Sequence, residues 1–224
     1  MNPVQPKFLK GGLVLFDVEA GKVTRILPLM VNPATMSRSY EAKRANIGTG
    51  GTLAPLRLIG PAVETIQVEV QLDAADAILR SNAGMSQSGG AKVAADEGVR
   101  PWIAAMQMLL TPSSAAIMKN DQLRQLGELE IIPMQQPLTL FVWGAGNILP
   151  VVLTSLSVSE EMFDPRLVPV QAKLSLSMKS LSVDDLGVST RAGSIFLTYL
   201  REVERRASLV PDPGLAALGI EGTL

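Results

Sequence analysis

A chain of 224 residues without a single cysteine or histidine can bury a substantial core, as one large β domain or two small ones. That composition closes off disulfide staples, thiolate metal sites and every Ser-His-Asp or Cys-His arrangement. Its 20 Lys and Arg against 21 Asp and Glu leave a net charge of −1, so no basic field calls for nucleic acid or an anionic membrane, and proteins are the expected partners. The longest apolar runs, Leu13–Phe16 and Ile148–Leu153, fall far short of the roughly 20 residues that span a bilayer. The run that follows Lys7 and Lys10 ends at Asp17, too early for a signal-peptide core of about 7–15 residues. No membrane insertion is expected, and synthesis and assembly should be cytoplasmic.

In chain order, Met1–Gln5 reads as a loose arm. Gly12–Val18 reads as a strand, Glu19-Ala20-Gly21 as a turn and Lys22–Leu29 as the hairpin partner. Pro28 makes that second run an edge or a crossing point, and Asn32-Pro33 marks a turn. Met36, Arg38 and Tyr40 alternate with Ser37, Ser39 and Glu41 as in a strand. Ile47–Thr52 is a glycine-rich loop and Leu53–Ile59 is extended. Glu64–Asp73 alternates clearly, with Ile66, Val68, Val70 and Leu72 on one face and Thr65, Gln67, Glu69 and Gln71 on the other. Ala74–Arg80 has room for one or two helical turns, capped by Asp73. Ser81–Gly98, small and polar, reads as a loop that would become ordered only against neighbours. Pro101 opens a helix whose Trp102, Ile103, Met106, Leu109 and Leu110 share a face and which Thr111–Ser114 stops. A second polar loop, Lys119–Glu130, leads into Ile131-Ile132.

The most informative stretch runs from Leu138 to Val183. Leu138–Trp143 and Ile148–Ser159 are strand-like and separated by Gly144-Ala145-Gly146-Asn147, as in a hairpin. Phe163–Pro169 makes a second break, after which Val170, Ala172, Leu174, Leu176 and Met178 alternate with Gln171, Lys173, Ser175, Ser177 and Lys179. The result is a three-stranded antiparallel meander with one wet face. Ala192, Ile195, Phe196, Tyr199, Leu200 and Val203 then recur at three and four residues, which predicts an amphipathic helix. Ser208–Leu224 holds no periodic run. The chain is therefore mainly β with a few helices, an α+β arrangement.

Few residues suggest chemistry. Gly48-Thr49-Gly50-Gly51 has the glycines of a phosphate cradle, but no Lys-Ser/Thr follows it, and a solvated turn is the simpler reading. Asp73 with Asp76, Glu160 with Glu161, and Asp184 with Asp185 could supply paired carboxylates for acid/base or calcium chemistry. Each pair sits at a strand end, where capping and solubility account for it. Lys43-Arg44 is too short a basic run to hold nucleic acid. Trp102 and Trp143 could stack on a ligand, yet both adjoin apolar runs and read as core. No catalytic, cofactor-binding or metal-binding residue is assigned and no cofactor is expected. An exposed strand edge, by contrast, can pair with a neighbouring subunit.

Several of these pieces occur together in one known family. Pro137–Gly144, Leu149-Pro150-Val151, Thr154–Ser157, Glu160-Glu161, Phe163-Asp164-Pro165, Leu167, Pro169 and Ala172 form a run that resembles baseplate-hub proteins of phage-tail-like contractile injection systems. It looks like the tube-adaptor subunits that sit between the spike and the inner tube. Val31-Asn32-Pro33 with Ser37-Arg38, Gly60-Pro61 with Glu64-Thr65-Ile66, and Leu72-Asp73-Ala74 agree. So do Arg100-Pro101 leading to Met108–Ser113, and Ser182–Gly187. The likeness covers roughly Phe8 to Ala207.

The resemblance implies a tube-like antiparallel β-barrel with flanking helices over residues 1–207, followed by an extended tail over 208–224. It further implies a non-enzymatic structural role in a hexameric ring. The implied partners are inner-tube, spike or hub, and wedge proteins, in a particle that is either released or membrane-anchored. Some members add a LysM module, for which the stretch after Ala207 is expected to be too short. A wedge-clamp position around the tube, a carboxylate-dependent enzyme and a small-ligand-binding β-barrel are the alternatives.

Overall fold

The computed structural model describes residues 10–17, 21–44, 56–76, 78, 90–125 and 136–218. Its strands are β1 (Gly12–Asp17), β2 (Lys22–Pro28), β3 (Met36–Glu41), β4 (Val63–Asp73), β5 (Leu138–Val142), β6 (Ile148–Phe163) and β7 (Pro169–Ser180). All pairs are antiparallel and make one sheet in the order β2-β1-β5-β6-β7-β4-β3. The N-terminal hairpin, the Met36–Glu41 strand and the β5-β6-β7 meander lie where alternation and turn chemistry put them. β6 continues past Ser159 to Phe163.

Register explains the core. Ile66 stands opposite Met178, Val68 opposite Leu176, Val70 opposite Leu174 and Leu72 opposite Ala172, and all eight are buried. β1 and β5 are covered on both faces, as their nearly unbroken apolar runs require. Leu13 and Phe141 join the main core, while Phe16, Leu138 and Leu140 form a second cluster.

The sheet is strongly curled. In a flat sheet, with neighbours about 4.8 Å apart, β3 would lie about 19 Å from β5. Instead the Arg38 guanidinium on β3 sits 5.3 Å from the ring of Trp143, one residue beyond β5, and Met36 lines the same cleft as Phe141. The barrel implied by the family likeness is nevertheless not closed. Among the described residues, β2 pairs only with β1 and β3 only with β4. Side chains fill the gap in place of a ladder: Leu29 and Met30, on the connection from β2 to β3, are buried, and Gly11 donates from its backbone to the Asn32 side chain.

Five helices complete the described fold: α1 (Gly90–Glu97), α2 (Arg100–Gln107), α3 (Ser114–Gln125), α4 (Val183–Leu186) and α5 (Arg191–Ala207). α5 begins at Thr190, whose hydroxyl accepts from Gly193 N–H at 3.0 Å. It spans about 25 Å at 1.5 Å per residue. Arg191 near its start reaches the Gly21 carbonyl in the β1–β2 turn, and Arg206 near its end reaches Asn147 in the β5–β6 turn. Ala192 packs in the second cluster, while Phe196 and Tyr199 pack in the main core. α1 and α2 meet at Gly98, whose φ of +60° and whose closeness to the Pro169 carbonyl exclude a Cβ; one would lie 2.2 Å from that oxygen.

Two expected loops are corrected. Residues 90–97 of the Ser81–Gly98 stretch are helical, and Lys119–Gln125 of the second loop belongs to α3. Both segments are rich in Ala, Lys, Gln and Glu, which favour helix whatever their polarity. The tail also contains a 3₁₀ turn at Leu215–Leu218. Residues 74–76 are helical and Asp73 accepts from Ala75 N–H at 2.8 Å, as a cap does. Met1–Gln5, Ile47–Thr52, residues 81–89 and Ile131-Ile132 lie outside the described residues.

Leu176→Ala should cost about 2–5 kcal/mol, as a buried large-to-small change does. Lys173→Ala, at an exposed ion pair with Glu161, should cost no more than about 1 kcal/mol. Chemical denaturation of the two variants checks the assignment of faces, and equal losses would show it to be wrong.

Candidate functional site

The sequence hides one charged group inside the fold. Glu64 is in phase with Ile66, Val68, Val70 and Leu72, so the period of the strand carries its carboxylate onto the dry face, where it is 4% exposed. A buried carboxylate requires partners. Arg38 Nε, from the neighbouring edge strand, donates to Glu64 Oε1 at 2.5 Å. Tyr199 of α5 donates to Oε2 at 3.2 Å, Tyr40 donates to Oε1 at 3.3 Å, and the Arg38 guanidinium also bonds the Tyr199 hydroxyl. The Glu64 backbone N–H donates to Ser180 Oγ at 2.9 Å, tying β4 to the end of β7. Above the pair, the guanidinium lies 5.4 Å from the Tyr40 ring and 5.3 Å from the Trp143 ring. Trp143 in turn stacks on Phe141 at 4.9 Å.

The electrostatics follow from this crowding. Burial, then the adjacent Glu64 carboxylate, pushes the Tyr199 phenol far above its ordinary range, and the same two causes in the same order raise Tyr40. For Arg38 burial works against the charge, and the hydrogen bond and charge of Glu64 outweigh it, so its pKa rises. The phenols stay protonated and the guanidinium stays charged. The cluster therefore holds charge in place.

The opposite sheet face has a different character. Across β4, β7 and β6 the register aligns Gln67 with Ser177 and Ser155, Glu69 with Ser175 and Ser157, and Gln71 with Lys173 and Ser159. Ser37 and Ser39 of β3 extend the rows beside Gln67 and Thr65. This four-stranded face is hydrophilic, built of small or unbranched side chains and free of aromatic rings. The connection through Val31–Thr35 overhangs part of it, leaving a groove of ≈ 300 Å³ lined by Glu69, Gln71, Ser157, Ser159, Lys173 and Ser175, among others.

Each acidic pair weighed from the sequence has at least one member held by a structural partner. Asp73 caps residues 74–76 and accepts from Gln171 at 2.9 Å. Glu161 pairs across the strands with Lys173 at 2.9 Å. Asp184 pairs with Lys43 at 2.8 Å, while Asp185 closes a capping box with Ser182 at the start of α4. No three acidic side chains among the described residues converge as a cation site would require. Arg44 bridges to Leu58 through its backbone, and both tryptophans pack against the main core. Gly48–Gly51 lies outside the described residues. Arg38, Glu64 and Tyr199, which form the cluster, were not singled out in the sequence. The signal that could have found them is Glu64 in phase with an apolar stripe, with Tyr199 in the stripe of α5.

No family model matches the chain, and no curated protein matches it. The solved structures that are similar include two from gene transfer agent particles. One is a chain of the virion of a native gene transfer agent particle, 11% identical with a TM-score of 0.28. The other is a chain of the tail of an empty gene transfer agent particle of C6 symmetry, 11% identical with a TM-score of 0.29. Each match covers 76% of this chain and 90% of the other. A likeness of this depth leaves the function to rest on the chain's own residues.

Arg38→Ala should destabilise the fold by about 3–5 kcal/mol, because it strands a buried carboxylate. Tyr40→Phe, which removes one long hydrogen bond, should cost only about 1 kcal/mol. Replacing both members of the pair, Arg38→Met with Glu64→Leu, should recover most of the loss. Denaturation midpoints of the three proteins measure this, and a double variant no more stable than Arg38→Ala would show that the carboxylate is not the source of the cost.

Proposed function

We propose that the chain is a structural subunit of the baseplate of a phage-tail-like contractile injection system, and that six copies form a closed ring joining the central spike or hub to the inner tube. The observation that carries this reading is a curled antiparallel sheet with one dry face, one broad wet face of Ser, Thr, Gln and Lys, and two open edges, β2 and β3. Such an element serves as a wall: the wet face suits a water-filled bore, and the edges need covering by neighbours. The order of family-like segments supports it. Pro137–Ala172 covers β5, β6 and the start of β7, and Ser37-Arg38 and Glu64–Ile66 lie on the strands that carry the buried ion pair.

The reading is non-enzymatic. Asp184 pairs with Lys43 and Asp185 closes the capping box of α4, so Asp184→Asn with Asp185→Asn should loosen α4 and its neighbours without abolishing any turnover. In this reading the subunit folds in the cytoplasm and meets the tube, hub and wedge proteins there. Electron microscopy or native mass spectrometry of the assembled protein should show six copies in a closed ring. One, two or three copies per particle would overturn the ring.

A further inference from the structure

The turn between β6 and β7 carries three bulky apolar side chains in solvent, Met162 (68% exposed), Phe163 (51%) and Leu167 (71%). Met162 and Leu167 are held at φ +50° and +59°, in the left-handed region that non-glycine residues avoid and that strains the backbone. The turn is nonetheless rigidly organised. The Asp164 carboxylate accepts from the backbone of Arg166 and Val168 and from the Arg166 side chain, all within 2.9 Å. Behind it, Arg166 donates to the Ala95 carbonyl of α1 and Arg100 of α2 donates to the Leu167 carbonyl. Strain maintained by so many bonds, around apolar groups left half or more in solvent, describes a preformed knob.

The same chain carries a matching hollow. Between β2 and the α1–α2 pair runs an open groove of ≈ 660 Å³, lined by Val23, Arg25, Leu27, Val93, Pro101 and Trp102 and roomy enough for several large side chains. The knob cannot turn into the groove of its own chain. Its turn is bound to the helices, and β2 lies three strands from β6, about 14 Å across the sheet. Charge agrees with the match: Glu160 adjoins the knob, and Arg25 lines the groove.

We infer that the β6–β7 knob of one copy docks into the β2/α2 groove of the next, with Glu160 facing Arg25. This deepens the proposed ring and rests on it. Because knob and groove are different surfaces, the contact is head-to-tail and runs from copy to copy until it closes. The pairing also explains why the knob is strained, since a rigid apolar tip loses little entropy on docking.

The absence of cysteine makes a direct test clean. The full-length Phe163→Cys protein is mixed with full-length Val23→Cys protein and oxidised. The mixed disulfide dimer should far exceed either self-dimer, and a Ser157→Cys partner on the wet face should give none. In sedimentation, Glu160→Arg or Arg25→Glu alone should raise the self-dissociation constant roughly tenfold, and the two reversals combined should restore it. No excess of mixed dimer, a dominant Phe163 self-dimer, or single reversals that leave association unchanged in a folded protein would each overturn the contact. A six-fold ring imaged with its knobs in solvent would remove this inference and keep the ring. Head-to-tail pairs that never close would do the reverse.

Discussion

The fold depends on one carboxylate placed where water cannot reach it. Glu64 lies in the apolar stripe of β4, and a charge left unpaired there would cost several kcal/mol. The carboxylate's partners come from two elements, Arg38 and Tyr40 from β3 and Tyr199 from α5, while Ser180 of β7 accepts from the Glu64 backbone N–H. A hydrophobic residue at this position could be covered in many ways, whereas the carboxylate accepts few. An ion pair of this kind adds little net stability over a well-packed apolar pair, yet it discriminates sharply against arrangements that strand it. The position of α5 over the strands and the approach of β3 towards Trp143 are both conditions for satisfying Glu64.

That requirement shapes the sheet. Bringing Arg38 over Trp143 means bending β3 round by four strand positions, so the seven strands form a trough. The apolar residues of β4 and β7 point inward, and the Ser, Gln and Lys residues of the same strands point out. A ladder between β2 and β3 would complete the cylinder, but the β2–β3 connection occupies that gap with Leu29 and Met30 and removes the need for it. The trough gains a continuous core and keeps two edges. Edges of this kind invite pairing, and the exposed Val23 and Ile26 on β2 and Tyr40 on β3 make them poorly protected in a lone subunit.

Much of this was legible in the sequence. Strand alternation is a local property with a period of two, so Ile66–Leu72 and Val170–Met178 declared their faces without reference to anything distant. The stripe of α5 did the same at its own period. Residues 90–97 and Lys119–Gln125 read as loop because their small and polar residues were weighed as loop composition, although Ala and Lys in the first and Lys, Gln and Arg in the second are good helix formers. Closure of the sheet was not legible at all, since it depends on whether residues far apart in the chain pair. The ion-pair cluster lies between these cases. The phase of Glu64 was visible, but its partners are 26 residues away at Arg38 and 135 away at Tyr199, and nothing local names them.

The two outward surfaces divide the work by their physics. A face of Ser, Gln and Thr offers weak, solvated contacts and no anchor, which suits a surface that things pass along. The β6–β7 turn offers large apolar groups already fixed in place, which suits a surface that must hold. Its brace is insensitive to ordinary changes of pH. The Val168 backbone N–H, followed by Arg166, holds the Asp164 carboxyl below its usual range, so the brace is complete above that range and is released only as acid reaches the lowered value. On α5, Arg205 first and then Arg206 bring Glu202 down to about 2, with the same sign and the same consequence. With no histidine in the chain, no imidazole is present to switch these contacts between acidic and neutral conditions. Geometry and the Glu160–Arg25 charge match are left to control docking: a tip whose strain is already met within the free subunit, and a groove open to receive it.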